Sequence, residues 1–300
     1  MTRLKIRPPR RRTAPAPAAC RPDDLADVAP PKPRFFLGWG VLIVAALGMF
    51  ASAPGQSFSV ATFKEPMEEA LSISDTSYST AYLVATLISG ACLPFIGRLT
   101  DRYGARLLLP IIAGALGASC WWMSTVQGFI GVFIGFCLIR PLGQGALTLV
   151  STWLVGHWFE KRRGLAMGLL GLGGTLSVMA VPPISYYVAN LYGWRVAWIV
   201  LGAIVTAILV LPAIIFVRNR PEDVGLLPDG RDPHAADGND PQSTEADIPP
   251  AHVITGQTVE EAWREITFWK LLLPLCTSAL VGTGLVFHQF SIFAERGMSG

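Results

Sequence analysis

Apolar residues occur in seven long runs along the chain, and short polar links separate the first six runs. Six runs fill residues 35 to 217, and the seventh begins near Phe268. A hydrocarbon core about 30 Å thick needs roughly 20 apolar residues in a helix. A helix buried in a soluble domain would still show one polar face. The pattern therefore predicts an integral membrane protein built from α-helices.

The runs predict spanning helices at residues 36–63, 76–97, 107–126, 128–156, 164–189, 195–217 and 269–292. Residues 1–35 are rich in Pro, Ala and Arg without periodicity, which is typical of a disordered tail. Residues 218–268 form a polar linker whose end, from Thr258 to Glu261, fits a capping box before a short amphipathic helix. We expect four parts: the tail 1–35, a six-helix half at 36–217, the cytoplasmic linker 218–268, and residues 269–300, where the seventh helix begins a second half.

Basic residues are concentrated in every second link. The N-terminal tail holds nine Lys or Arg, whereas the first link carries one Lys against four acids and the third carries no charge. Two links are strongly basic: the second contains Arg98, Arg102 and Arg106, and the fourth contains Lys161, Arg162 and Arg163. Because basic links favour the cytoplasmic side, we expect a multi-pass protein of the cell membrane (inner or plasma membrane) with a cytoplasmic N-terminus.

The link between the second and third helices carries an ordered set of glycine, acidic and basic residues. Gly97 and Gly104 would permit the tight reversal that two antiparallel helices need. Asp101 can accept hydrogen bonds at a helix start, while Arg102 and Arg106 can pair with carboxylates. The alternative interpretation is an ordinary basic loop that only fixes topology.

This link resembles the signature loop of major facilitator superfamily transporters, Gly-x-x-x-Asp-Arg/Lys-x-Gly-Arg/Lys-Arg/Lys. The matching positions are Gly97, Asp101, Arg102, Gly104 and Arg106. Ala105 stands where a basic residue is usual. The resemblance implies twelve helices in two six-helix halves around a central cavity. It also implies a cytoplasmic gate in which the aspartate meets helix ends of the second half.

The link between the fourth and fifth helices resembles the matching loop of monocarboxylate and oxalate/formate-type transporters. An aromatic pair, Trp158 and Phe159, precedes the basic triplet Lys161–Arg163, and Leu165, Ala166 and Gly168 follow. Aromatic rings suit the membrane interface and the basic triplet suits an anionic inner leaflet. A generic membrane anchor would explain the charges but not this combination. The segments at 220–226 and 287–289 also resemble bacterial members of this branch.

Arg140 lies near the middle of the fourth predicted helix, directly before Pro141. A charge at membrane depth is costly and usually faces a cavity or a partner. We expect Arg140 to bind an anionic substrate electrostatically, which agrees with the superfamily's Arg-Gly pattern on this helix. The alternative is a structural arginine bonded to backbone carbonyls freed by Pro141.

Other polar residues in the apolar runs are candidate cavity groups, and each could equally form a helix–helix hydrogen bond. They are Gln56, Ser57, Gln144, His288 and Gln289. His288 could carry a coupling proton, since an unperturbed histidine has a pKa of about 6.5. No acidic residue lies deep inside the first six runs, so a carboxylate proton relay is not expected there.

Other functional classes fit the sequence less well. The chain has no His-Glu-x-x-His, no Gly-x-Ser-x-Gly and no phosphate-binding Gly-x-x-x-x-Gly-Lys motif. Its five cysteines are scattered, which disfavours a disulfide framework or a metal site. We therefore expect no enzyme, no cofactor, no metal and no nucleic-acid partner. A channel or receptor is a further alternative, although no filter-like repeat is present.

Together the patterns predict a secondary active transporter that moves a small organic anion, of the monocarboxylate or dicarboxylate type, by alternating access. Transport would be proton-coupled or would exchange one anion for another. The alternatives are a superfamily member with another small solute and an inactive fragment or half-transporter. Because the chain ends at Gly300, just after the seventh run, we expect a fragment that lacks its C-terminal half rather than a half-transporter that pairs with itself.

Overall fold

The computed structural model describes residues 36–226, 228–230 and 259–295, and it places side chains as far as residue 286. The predicted disordered tail, most of the linker and the capping residue Thr258 lie outside this part of the chain. Within the described ranges all regular secondary structure is helical. The short helix predicted at the end of the linker is present as Val259–Arg264.

Seven helices are long and apolar enough to cross a bilayer. They are Leu37–Gly55, Asp75–Tyr103, Ala105–Thr125, Phe129–Trp158, Arg163–Tyr192, Trp194–Phe216 and Ile266–Val286. The last of them belongs to a helix that continues to Glu295. Each overlaps one predicted range, so the predicted all-α membrane fold is confirmed. We number these spanning helices first to seventh in chain order.

The first spanning helix is broken within the range 36–63 that the sequence predicted as a single helix. The α-helix ends at Ala51, a 3₁₀ turn covers Ala53–Gly55, and a second α-helix runs over Ser57–Thr62. Between them Gln56 is extended, with ψ 151°. Pro54 lacks an amide hydrogen, which removes one helical hydrogen bond and accounts for the break at this point. A further helix, Lys64–Leu71, then leads to the second spanning helix.

The second spanning helix continues six residues beyond its predicted end at residue 97 and reaches Tyr103. The prediction that Gly97 takes part in the reversal is therefore wrong, because Gly97 lies inside the helix. Gly104 alone makes the turn, with φ 78°, a left-handed conformation that favours glycine. Apart from Gly104, the segment Gly97–Arg106, which we call the gate segment after the family resemblance, is consequently helical.

Two spanning helices contain wider π-helical segments, Pro141–Leu147 in the fourth and Thr206–Val210 in the sixth. A proline accompanies each segment: Pro141 begins the first one, and Pro212 lies two residues after the second. A proline leaves the carbonyl four residues earlier without its helical partner, and π-type turns are one way in which a helix accommodates this change. Such segments are frequent at functional sites.

The helices pack mainly in the pairs first with fifth, third with sixth and second with fourth. Large aromatic side chains are buried between the helices toward the end opposite the basic links: the rings of Phe63 and Trp198 stack 4.4 Å apart, and Tyr78 meets Phe136 edge-on at 5.0 Å. The seventh helix lies against the segment Ser57–Thr62. Helix association in lipid depends on close packing, because lipid tails are as apolar as the side chains.

Glycines allow the closest helix approaches. A Cβ atom on Gly173 of the fifth helix would overlap the Ala46 carbonyl oxygen of the first, and one on Gly117 of the third would lie 3.1 Å from the Gly202 carbonyl oxygen of the sixth. These contacts join backbone to backbone, which cannot move aside like a flexible side chain. The glycines therefore set the distance between these helices.

We expect Gly173→Ala to destabilise the protein by about 1–3 kcal/mol, because the added methyl group forces the first and fifth helices apart. Gly171→Ala is the matched control on the same helix, since open space surrounds Gly171 and alanine favours helix. Thermal unfolding in detergent would measure both variants. Equal melting temperatures for the two alanine variants would contradict the close contact.

Candidate functional site

The centre of the bundle holds one buried cation, Arg140, whose side chain is only 2% exposed. Its Nη1 donates a hydrogen bond to the Gly55 carbonyl oxygen at 2.8 Å. Its Nε donates to Thr86 Oγ1 at 3.1 Å. The guanidinium carbon also lies 4.5 Å from the centre of the Tyr82 ring, within the range of a cation–π contact.

Arg140 thus connects three spanning helices. Gly55 belongs to the break in the first helix, Thr86 and Tyr82 belong to the second, and Arg140 ends the α-helical part of the fourth. The Tyr82 hydroxyl donates to Ser57 Oγ at 2.7 Å, which extends the polar network across the break. A broken helix whose open backbone groups face a polar residue is the arrangement found in transporter binding sites.

The close approach of two glycines brings these elements together. A Cβ atom on Gly55 would lie 2.8 Å from the Gly143 Cα and 2.8 Å from the Gln144 backbone nitrogen. Gly143 and Gln144 lie in the π-helical segment of the fourth helix. The break in one helix and the wide turn in another therefore meet directly beside Arg140.

The predicted cavity residues do not all join this network. Gln144 Oε1 is buried and has no hydrogen-bond partner among the residues that the structure describes. Gln56 is partly buried and donates to Ser52 Oγ at 3.1 Å. His288 and Gln289 lie on the seventh helix in a stretch whose side chains are outside the described part of the chain.

The geometry bears on the structural interpretation of Arg140, whereas its role toward a substrate stays a prediction. The arginine does bond to an open backbone carbonyl, as the structural interpretation required, but Pro141 does not free that carbonyl. The carbonyl belongs to Gly55, in the break of the first helix after Pro54. Sequence reasoning missed Gly55, Thr86 and Tyr82 as partners, although Pro54 before Gly55 was the available signal for a break.

The gate segment is held by the fourth helix. Asp101 Oδ1 accepts a hydrogen bond from the Trp153 indole nitrogen at 2.9 Å, and the Trp153 ring lies 3.9 Å from the His157 ring. The sequence predicted that Asp101 could accept hydrogen bonds at a helix start, whereas it stands in the last turn of the second helix. An indole on another helix is its partner here.

The turn at Gly104 is closed by the end of the sixth helix. Asn219 Oδ1 accepts a hydrogen bond from the Arg106 backbone amide at 2.9 Å, and the Asn219 side chain occupies the space where a Cβ on Gly104 would lie. This bond satisfies one of the open amides at the start of the third helix. Asn219 thereby joins the gate segment to the residues that follow the six-helix bundle.

The basic link between the fourth and fifth helices is bound by an aspartate of the linker. Asp229 Oδ2 accepts hydrogen bonds from the backbone amides of Glu160 at 3.1 Å and Lys161 at 2.6 Å, and its Oδ1 accepts from Arg162 at 3.3 Å. The fifth helix begins one residue later, at Arg163. A carboxylate there satisfies open amides and favours the helix dipole. Nothing in the sequence pattern of Pro228-Asp229-Gly230 beyond a turn signalled this contact.

At the other end of the bundle a small charged cluster surrounds the helix Lys64–Leu71. Lys64 is 5% exposed and forms an ion pair with Asp75. Burial raises the pKa of the Glu68 carboxyl; the charges of Asp75 and Glu65 raise it further and that of Lys64 lowers it. A carboxyl group whose pKa is raised in the folded protein contributes to the free energy of unfolding while it is protonated. This contribution is lost as the pH rises through the raised pKa.

The described residues contain no group of three or more His, Cys, Asp or Glu side chains arranged to hold a metal ion. The groups at the centre are a buried guanidinium, the Tyr82 phenol, the Thr86 hydroxyl and, in the adjoining wide turn, the Gln144 amide. All of them are polar groups that can form hydrogen bonds. The fold and this centre together define a multi-pass membrane protein with a polar site at membrane depth.

Comparison with known proteins identifies the family. The model of the Major Facilitator Superfamily matches residues 45–300. Monocarboxylate transporter 4 of Rattus norvegicus is 28% identical over 201 residues, which cover 66% of this chain and 41% of that protein. Monocarboxylate transporter 14 of Mus musculus is 32% identical over 151 residues, covering 50% and 28%. The oxalate:formate antiporter of Oxalobacter formigenes is 23% identical over 177 residues, covering 59% and 42%.

The chain belongs to the Major Facilitator Superfamily, because the family model covers well over half of it. The resemblance to the monocarboxylate and oxalate/formate branch is confirmed by these relatives, which are transporters and not enzymes. The chain spans less than half of the length of each of the three relatives.

We expect Asp229→Ala to expose the link between the fourth and fifth helices to proteolysis, because three backbone amides lose a charged acceptor. Hydrogen bonds to charged groups contribute roughly 1.5–3 kcal/mol, so tryptic cleavage after Lys161–Arg163 should become at least about tenfold faster. Glu222→Ala, which removes an exposed carboxylate from the same segment, is the control. Equal cleavage rates in the two variants would show that Asp229 does not hold this link.

Proposed function

We propose that this protein carries a small organic anion across the membrane by alternating access, with Arg140 attracting the substrate carboxylate. The observation that carries the proposal is the buried, uncompensated guanidinium. Among the described residues no carboxylate lies within ion-pair distance of Arg140. A buried charge is costly unless it is paired, and a substrate carboxylate would supply the missing countercharge.

The proposal is supported by the number of N–H donors on Arg140. A guanidinium has five N–H donors, and the hydrogen bonds to Gly55 and Thr86 engage one on Nε and one on Nη1. Arginine binds carboxylates in a planar, bidentate arrangement. In this proposal Gln144, whose Oε1 is buried without a described partner, and Gln56 would contact the remainder of the solute.

The names of the relatives support the substrate class. They are monocarboxylate transporters and an oxalate:formate antiporter, so all act on small carboxylates by name. We extend to this chain a proton-coupled or anion-exchanging mechanism, in which His288 or Gln289 of the seventh helix could contribute. We also propose that a second six-helix half completes the pathway, since the family resemblance implies two halves.

The gate segment would govern closure at the basic end of the bundle, which we define by the links at 98–106 and 160–163. By the tendency of basic links to stay inside, this end and the N-terminus would be cytoplasmic in the cell membrane. Asp101 would alternate between the Trp153 indole of its own half and helix N-termini of the second half. The positive end of a helix dipole attracts such a carboxylate.

We expect Arg140→Ala to raise the apparent KM for carboxylate uptake at least about tenfold, since a charge-assisted pair contributes roughly 1.5–3 kcal/mol. Arg140→Lys keeps the cation but loses the planar guanidinium, so its KM should lie between that of the unaltered protein and that of Arg140→Ala. Arg264→Ala, which removes an exposed arginine outside the gate segment, is the matched control. The measurement is uptake of radiolabelled monocarboxylates and oxalate by cells expressing the complete gene product, corrected for the amount in the membrane. Unchanged affinity in Arg140→Ala would overturn this role.

Two variants separate the charge of Asp101 from its hydrogen bond. Asp101→Asn keeps an acceptor for Trp153 but loses the charge, whereas Trp153→Phe keeps the charge and loses the bond. If the charge meets helix ends during closure, turnover should fall about tenfold in the asparagine variant while KM changes little. The phenylalanine variant should retain most turnover. Full uptake with Asp101→Asn would count against the gating role, and so would an equal loss in both variants.

A further inference from the structure

The outer surface of the bundle carries a groove between the third and sixth spanning helices that the transport proposal does not use. Its volume is about 500 Å³, and it lies beside the Gly104 turn, at the basic end of the bundle. The polar groups at its rim are Tyr103, Arg106 and Asn219. Its walls are apolar and include Leu107, Ile111 and Ile214.

The groove changes from polar to apolar along the helix axis. Arg106 stands in the first turn of the third helix, and Ile111 stands five residues later, about 7.5 Å deeper at the helical rise. The wall side chains of Leu107, Ile111 and Ile214 are more than half exposed. Apolar side chains exposed on spanning helices contact lipid, so the deep part of the groove lies among acyl chains and its rim at the headgroups.

The rim is positively charged. The segment from Gly97 to Arg106 has three arginines and one aspartate, and the aspartate, Asp101, is engaged by Trp153. Arg102 lies over the Tyr103 ring at 5.4 Å, which adds a second cation beside the groove. Among the described residues no carboxylate lies within ion-pair distance of Arg106.

A hydrogen bond spans the rim. The Arg106 backbone amide donates to Asn219 Oδ1 and so connects the start of the third helix to the residues that follow the sixth. The side chain of Arg106 is exposed beside this bond. A guanidinium in such a position is suited to a phosphate oxygen.

We propose that this groove binds an anionic phospholipid, with its phosphate on Arg106 and Asn219 and an acyl chain along Leu107, Ile111 and Ile214. A zwitterionic lipid has the same chains but no net charge, so it gains less from the basic rim. A cationic side chain at the membrane surface favours an anionic lipid by a factor of about five. This inference does not depend on which solute is transported.

Native mass spectrometry of the complete chain in detergent, with equal amounts of POPG and POPC, tests the proposal. The unaltered chain should retain POPG about fivefold over POPC. Arg106→Gln should remove most of this preference, since only Arg102 then remains beside the groove, whereas Arg98→Gln, which removes an exposed arginine of the same segment outside the groove, should keep it. An equal preference in the two variants would overturn the assignment to Arg106.

The apolar walls have their own test. Ile111→Trp fills the groove and should reduce retention of both lipids, while Ile130→Trp adds the same ring at another exposed position and should not. Equal retention in these two variants would overturn the groove as the lipid site.

Soluble glycerol 3-phosphate, at the same concentration as the lipid, should not displace POPG. Displacement would show a site for free phosphate esters and contradict the lipid proposal.

Discussion

The hydrogen bond from Arg140 to the Gly55 carbonyl is the interaction on which the centre of this protein depends. In a bilayer no water is available to an open backbone group, so each break in a spanning helix needs a partner from within the protein. Pro54 interrupts the first helix, and the Gly55 carbonyl within the resulting break accepts a hydrogen bond from the guanidinium of the fourth helix. The same bond holds a cation at membrane depth.

The glycine contacts make this arrangement possible. Gly55 and Gly143 bring the broken first helix against the wide turn of the fourth, and Gly173 brings the fifth helix against the first. Two irregular segments meet at the centre because no side chain separates them. Among the residues that the structure describes, the partners of Arg140 are neutral: a phenol, a hydroxyl group and a backbone carbonyl. Such a charge is the feature on which the proposed binding of an anionic solute rests.

The basic end of the bundle is organised by long-range polar contacts rather than by its own loops. Trp153 holds Asp101, Asn219 closes the Gly104 turn, and Asp229 binds three amides of the link before the fifth helix. The first contact joins two helices of the bundle, and the other two join the bundle to residues that follow its sixth helix. Two of the three contacts, those of Trp153 and Asn219, are made by the gate segment itself.

Much of the fold was predictable, because the signal for a spanning helix is local. Hydrophobicity and length located all seven helices, although the second extends six residues beyond its predicted end. Apolar periodicity could not show that Gly97 stays helical or that the first helix breaks at Pro54. A hydrophobic run indicates that a segment lies in the membrane. Whether the helix breaks or extends there depends on the hydrogen-bond partners that neighbouring helices supply to its backbone.

By itself the sequence determined the spanning helices, the basic and acidic ends, the family motifs and the presence of a charge at mid-membrane. Only the tertiary structure decided what these residues contact. Arg140 and Gly55 are 85 residues apart, and Asp229 and Lys161 are 68 apart. Such contacts produce no pattern in the sequence of either segment, since each side chain is compatible with many partners. The packing of helices selects one of them, because a polar group in a dry interior must bond to whatever donor or acceptor the fold brings within reach.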